Sequence, residues 1–150
     1  MRLHRLERVQ TLRGPLEDAW RFFSSPHNLP MLTPPWLNLT ITGELPDCTV
    51  PGLIICYRVT PFFRIPVTWI TEITHVEPPR YFVDEQRFGP YRFWHHRHDF
   101  READSGVEMA DTVHYGLKYG PFGWLLHSFF VRKRLEAIFD FRQRTIAQMF

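Results

Sequence analysis

The feature that most restricts this chain is a change of hydrophobic period at Gly120-Pro121. Before that point, apolar residues alternate in short runs separated by turn residues; after it they recur at three- and four-residue spacing. Residues 3–12 predict a strand, closed by Gly14-Pro15. Leu16 to Ser24 carries Ala19, Trp20, Phe22 and Phe23 among charged residues, and predicts a short helix with Pro15 near its first turn. Ser25-Pro26 ends it. His27 to Leu32 reads as a second short helix or turn, and Thr33-Pro34-Pro35 forces an extended exit. Six further strands follow, at Leu37–Thr42, Gly52–Thr60, Arg64–Val76, Tyr81–Phe88, Arg92–Glu102 and Val107–Leu117. Their connectors are too short for parallel crossovers, so the strands form an antiparallel meander.

The segment after Gly120-Pro121 predicts one helix over residues 122–149, with Trp124, Leu125, Phe129, Leu135, Ile138, Phe139, Phe141, Ile146, Met149 and Phe150 on a broad apolar stripe. Such a stripe must be covered, and the sheet is the one element large enough to cover it. The expected class is therefore α+β: a curved antiparallel sheet of six to seven strands wrapped around a long C-terminal helix, with two short helices after the first strand. No repeat or linker divides residues 1–150, which read as one domain.

Several function classes fall away. The net charge is +2, with 16 Arg and 2 Lys, too little for a nucleic-acid partner. The run Arg132-Lys133-Arg134 lies among Glu136, Asp140 and Arg144 at four-residue spacings, the pattern of a solvated helix face. Cys48 and Cys56 form neither a disulfide framework nor a zinc motif. The N-terminus MRLHRLERVQ lacks the apolar core of a secretory signal. The most apolar stretch, residues 121–131, is interrupted by His127 and Ser128 and is too short to span a bilayer. A soluble, cytoplasmic protein without stable membrane insertion is expected. Aromatic residues number 24 of 150, more than core closure needs, so part of them is expected to line a cavity.

The order of elements, with the segments Trp20-Arg21-Phe22-Phe23-Ser24-Ser25-Pro26-His27-Asn28-Leu29 and Leu32-Thr33-Pro34-Pro35-Trp36-Leu37, resembles the SRPBCC superfamily of START and pollen-allergen-like proteins. The runs Phe82-Val83-Asp84-Glu85-Gln86, Gly89-Pro90-Tyr91 and Trp94-His95-His96-Arg97-His98-Asp99-Phe100 are similar to those of its bacterial polyketide cyclase/dehydrase-like branch, as are Asp111, Tyr115 and Ile138-Phe139-Asp140-Phe141-Arg142. The resemblance implies the helix-grip fold and an apolar cavity between sheet and C-terminal helix. It implies a hydrophobic or amphipathic small-molecule partner such as a lipid, a quinone or a polyketide-like compound. No catalytic residue carries over from it, and no protein partner is indicated.

Period two places Arg92, Trp94, His96, His98 and Phe100 on one strand face, and Met109, Asp111, Val113 and Tyr115 on another; both are the more apolar faces and are assigned inward. Phe82, Asp84, Gln86 and Phe88 are assigned inward beside them. Imidazoles and carboxylates in such a wall have four readings. The plainest is a buried hydrogen-bond network that satisfies itself. The others are anchoring of a ligand's polar head, acid–base catalysis of a cyclisation or dehydration by His96, His98 and Asp111, and a two-His, one-carboxylate metal site. No metal and no cofactor are expected, because His-x-His on a strand is common chance spacing. Ligand binding is taken as the function, with a cyclase or dehydratase as the alternative. Trp20, Phe23, Trp36 and Phe129 complete the expected lining, and the cavity is expected to reach several hundred Å³. Exposed, the apolar tip Pro61-Phe62-Phe63 and the Phe122-to-Trp124 segment would form a gate or a membrane- or partner-docking patch; capping or gating is expected instead, because only Arg58 and Arg64 flank the tip with basic charge.

Overall fold

A computed structural model describes residues 1–150, Ser128 through its backbone alone. Strand β1 (His4–Leu12) leads into helix α1 (Leu16–Phe23). Strands β2 (Thr40–Thr42), β3 (Ile54–Val59), β4 (Val67–Glu77), β5 (Tyr81–Phe88), β6 (Phe93–Ala103) and β7 (Gly106–Gly116) follow. The chain closes with helix α2 (Gly120–Leu126), a π-turn at His127–Val131 and helix α3 (Arg132–Met149). All seven strands form one antiparallel sheet in the order β1-β7-β6-β5-β4-β3-β2. The α+β helix-grip architecture expected from the sequence is present.

Three local differences have physical causes. The second short helix is a chain of three 3₁₀ turns, Pro26–Asn28, Pro30–Leu32 and Pro35–Leu37, each begun by a proline. Prolines at that spacing remove the N–H groups a continuous α-helix would need, while fitting the first position of each short turn. The third turn consumes the beginning of the expected strand at Leu37, leaving β2 only three residues.

The third difference is on β5. The β4–β5 register passes from Ile70 opposite Phe88 to Thr71 opposite Gln86, so Arg87 is an extra residue. A bulge reverses the alternation beyond it, and Phe88 points outward at 60% exposure. The inward assignment of Phe88 is therefore corrected, as is that of Arg92, which is exposed in the turn ahead of β6. Val83, on the opposite parity, is also buried, and of the β5 residues assigned inward Phe82 and Asp84 reach the cavity.

Two apolar clusters make the core. One gathers Leu12, Phe23, Phe82, Phe100, Met109 and Ile146; the other gathers Leu6, Trp94, Val113, Tyr115, Leu135 and Phe139. On β6 and β7, His96, His98 and Asp111 lie between the residues that feed these two clusters. A polar band thus crosses the middle of an apolar interior.

The C-terminal helix divides its apolar residues between two sides. Gly123, His127, Val131, Leu135, Phe139 and Ile146 face the sheet. Phe122, Leu125, Leu126, Phe129 and Phe130 follow the other three- and four-residue register and are exposed, Phe122 at 76% and Phe129 at 61%. The expectation that Trp124, Leu125 and Phe129 pack on the sheet is corrected: the inner face of this segment is already filled. His127 stacks on His4 with ring centroids 3.6 Å apart, and the Tyr115 hydroxyl donates to His127 Nε2 at 2.7 Å. Burial, with the neighbouring charge of His4 and Arg132, lowers the pKa of His127 to about 4, which keeps that ring a neutral acceptor.

The orientation has a direct consequence for stability. Ile146→Ala, at a fully buried position, should cost about 2–5 kcal/mol in urea unfolding. Phe122→Ser should change stability by no more than about 0.5 kcal/mol.

Candidate functional site

The concave side of β3–β6, the 3₁₀ run and α3 enclose a cavity of about 190 Å³. Its apolar wall includes Phe23, Trp69, Phe82, Trp94, Ile138 and Phe139, and its polar residues include Tyr57, Thr71, Asp84, His96, His98 and Arg142. The volume is smaller than the several hundred Å³ expected. Part of the reason is an aromatic packing around Trp69, whose ring centroid lies 5.2 Å from that of Trp94 and 5.5 Å from that of Tyr91. Space of this size suits one or two rings or a short chain rather than a large polycycle.

The polar end is a closed arrangement of two carboxylates and two imidazoles. Adjacent antiparallel strands set it up: Asp84 pairs with His96 across β5–β6, and His98 with Asp111 across β6–β7. His98 Nε2 donates to Asp84 Oδ2 at 2.8 Å, and Trp94 Nε1 donates to Asp84 Oδ1 at 3.2 Å. His96 Nε2 donates to Asp111 Oδ1 at 3.0 Å. His98 Nδ1 lies 2.9 Å from that same Asp111 oxygen, although not aligned for a full hydrogen bond. Arg142 Nε is 3.5 Å from Asp111 Oδ2 and supplies the compensating charge from α3.

The protonation states follow from this geometry. Burial would raise the pKa of Asp111, but the Arg142 charge, the hydrogen bond from His96 and the close His98 ring hold it well below the usual carboxylate range. Asp84 is likewise lowered against the effect of burial, by the His96 and His98 rings and by the Trp94 N–H. For His98, burial opposes protonation, yet the nearby Asp111 carboxylate and the hydrogen bond to Asp84 outweigh it and raise the pKa. For His96, burial and the charge on His98 win over the carboxylates, and the pKa falls. Near pH 6.5 these directions favour Asp84⁻, Asp111⁻, His98⁺ and neutral His96, with Arg142⁺ bringing the sum to zero. With its Nε2–H given to Asp111, His96 carries its lone pair on Nδ1, 3.4 Å from Asp84 Oδ2.

The sequence matches the family described as polyketide cyclase / dehydrase and lipid transport over residues 12–144. The chain belongs to this family. No curated protein matches the sequence. Among solved structures, one di-domain aromatase/cyclase, StfQ from the steffimycin biosynthetic pathway, superposes with a TM-score of 0.69 at 14% identity, over 96% of this chain and 50% of that one. Norcoclaurine synthase from Thalictrum flavum gives a TM-score of 0.67 at 15% identity, covering 98% and 96%. The protein TTHA0849 of Thermus thermophilus gives 0.64 at 18%, covering 99% of both chains. At these identities the likeness is one of fold, and it agrees with the SRPBCC superfamily.

Within this polyketide cyclase-like fold, six of the residues expected in the lining meet at the cavity: Phe23, Phe82, Asp84, Trp94, His96 and His98. Asp111 sits beneath the two histidines and Met109 in the core beyond it. Tyr115 is taken up by His127. Gln86 turns to the β5–β6 connection, donating to the Tyr91 carbonyl at 2.7 Å and accepting from its N–H at 3.1 Å. Trp20 packs edge-on against Phe82 and Phe100 outside the lining. Trp36 is half-exposed beneath the Arg134 guanidinium, 4.7 Å from its ring centre, and Phe129 points outward.

Two participants escape the sequence reading. Charge alone groups Arg142 with the solvated basic residues of the helix, yet its side chain is only 11% exposed; its position three residues after Phe139 and four before Ile146, inside the apolar stripe, is the available signal. Trp69, on the strand expected over residues 64–76, reads as plain core more readily than as lining, yet its Nε1–H is a buried donor with no partner among the described residues. No pattern along one strand announces an unpaired donor.

Asp84, His96 and His98 offer three atoms that lie within 4.8 Å of one another and could hold a metal ion. An ion would have to displace the proton shared by His98 and Asp84, while Asp111 oriented both rings from behind. The hydrogen-bonded cluster is balanced in charge without one. Thermal unfolding is accordingly expected to be unchanged by EDTA, and a lowered melting temperature would show that an ion completes the cluster.

The same cluster has a defined pH signature. A raised His98 pKa contributes stability that is full below the ordinary value of 6.5 and fades as pH rises through the folded value. A lowered His96 pKa subtracts stability as pH falls below 6.5, and the carboxylates lose theirs only in acid. The combined contribution peaks near pH 6.5. Histidine NMR should show His98 titrating above 6.5 and His96 below it, and Asp84→Asn should move the His98 value downward.

Proposed function

We propose that this protein binds a mainly apolar small molecule of one or two rings, or of comparable bulk, that carries an oxygen acceptor. The buried, unpartnered Trp69 Nε1–H in an aromatic cavity wall carries this reading, because such a donor lacks a hydrogen bond unless something brings an acceptor to it. The Asp84–His96–His98 end supplies a second polar contact, with a bare imidazole nitrogen and a charge-assisted donor pair. A lipid fragment, a quinone or a small polyketide-like ketone fits this description, and the family description includes lipid transport.

One observation favours a catalytic version. A neutral His96 with a free Nδ1 stands beside a proton held between His98 and Asp84, which is a base next to an acid. In a dehydration, His96 Nδ1 would take the proton from the carbon beside a carbonyl. The His98–Asp84 pair would give its proton to the leaving hydroxyl, which departs as water while the C=C bond forms. The cyclase and synthase among the similar folds make this chemistry reasonable to test.

Calorimetric titration with small aromatic ketones and quinones is the deciding experiment. Trp69→Phe should weaken the best ligand by about 5- to 150-fold, the cost of about 1–3 kcal/mol for an unmatched polar group. If no such compound binds or raises the melting temperature of the wild type, the reading fails. His96→Ala should weaken binding in a pure carrier. Retained affinity with product formation lost would instead identify the dehydratase.

A further inference from the structure

The outward face of the C-terminal helix is unaccounted for by the cavity. Phe122, Leu125, Leu126, Phe129 and Phe130 form a continuous exposed stripe along α2 and the π-turn. The β3–β4 loop extends it with Phe63, 73% exposed, and Ile65. The Phe63 and Phe130 rings lie 6.1 Å apart, so loop and helix make one surface. An exposed patch of seven large apolar side chains is larger than a soluble monomer ordinarily leaves uncovered. The expectation that the Phe63 tip and the Phe122-to-Trp124 segment fold down as a cap is corrected: they stay exposed, and the inner side of the same helix is held by the His127 contacts with Tyr115 and His4.

The charge around this surface identifies what covers it. Residues 48–71 and 112–135, the segments that carry the patch, contain no Asp or Glu and six basic residues: Arg58, Arg64, Lys118, Arg132, Lys133 and Arg134. The rest of the chain holds 12 basic residues against all 16 acidic ones. Among the described residues, Arg58, Arg64, Lys118, Lys133 and Arg134 make no ion pair; only Arg132 does, with Glu136. Lys118 and the Arg132–Arg134 run stand at the two ends of the apolar helical stripe, and Arg64 stands between Phe63 and Ile65. An apolar helical face framed by cations is the form that lies in the plane of a lipid interface, with aromatic rings at headgroup depth and basic residues on anionic headgroups. A second copy of the chain is disfavoured, since it would set one basic surface against another.

We propose that α2, the π-turn and the β3–β4 loop seat the protein reversibly on an anionic lipid bilayer. The attachment is peripheral: no helix among the described residues is long and apolar enough to cross a membrane. The surface adjoins the cavity, since Pro61 lines the cavity two residues before Phe63 and Leu135 lines it one turn after Val131. A bilayer is thus a source or acceptor for an apolar occupant, although docking does not depend on the cavity being filled.

Flotation with vesicles tests this on the full chain. The wild type should float with phosphatidylcholine vesicles containing one third phosphatidylglycerol, float less in high salt, and stay down with phosphatidylcholine alone. Phe122→Ser with Phe129→Ser should reduce binding by at least about tenfold, as should Arg64→Glu with Lys133→Glu, each with an unchanged melting temperature. Wild-type protein that ignores the anionic vesicles, or variants that bind as the wild type does, would overturn the proposal. So would a concentration-dependent dimer in light scattering that the same variants abolish.

Discussion

One buried carboxylate organises this molecule. Asp111 is 2% exposed in the middle of β7, between the two apolar clusters. A lone charge there would carry a desolvation penalty of several kcal/mol, so the fold is viable only where the charge is met from more than one side. The two histidines of β6 meet it from the neighbouring strand, and Arg142 meets it from α3. This requirement sets the axial position of the helix against the sheet, because sliding α3 by one turn would part Arg142 from Asp111 and leave the guanidinium without its carboxylate. The apolar stripe alone would not select that position, since Leu135, Phe139 and Ile146 repeat at helical spacing and would also pack one turn away.

The same contact prepares the cavity. Occupied on one edge by Asp111, His96 and His98 turn their other edges toward Asp84, where the wall opens. Two like rings in nearly the same environment are thereby pushed apart in pKa, one toward the neutral base and one toward the cation. Coupling to Arg142 makes the asymmetry possible, because it removes the need for both histidines to be charged. The buried network and the polar end of the site are thus one structure seen from two sides, and the two roles separated in the sequence reading are not exclusive.

How much of this was legible follows from the range of the interactions involved. The alternation on β6 and β7 is local, and it placed Trp94, His96, His98 and Asp111 inward correctly because both strands pair without a bulge. On β5 the same rule failed beyond Gln86, since the extra residue Arg87 appears only in the register with β4. Helical spacing announced the long final helix but not its two faces. Apolar residues occupy both sides of the segment 120–131, and only the sheet's finite width decides which of them are covered. Arg142 and Trp69 were hard for a related reason. Their meaning lies in what faces them across the cavity, and that is a property of the assembled fold.

The π-turn at His127–Val131 shows how one helix serves both an interior and an exterior. A wider turn locally shifts the angular register of side chains along the helix axis. Here it falls between a front segment whose large apolar residues face out and α3, whose large apolar residues face in. Gly123, His127 and Val131 keep the inner row continuous across it, with His127 spending its ring on His4 and Tyr115 instead of on apolar packing. Because that anchor is polar and directional, the front segment can hold an exposed apolar face without collapsing onto the core.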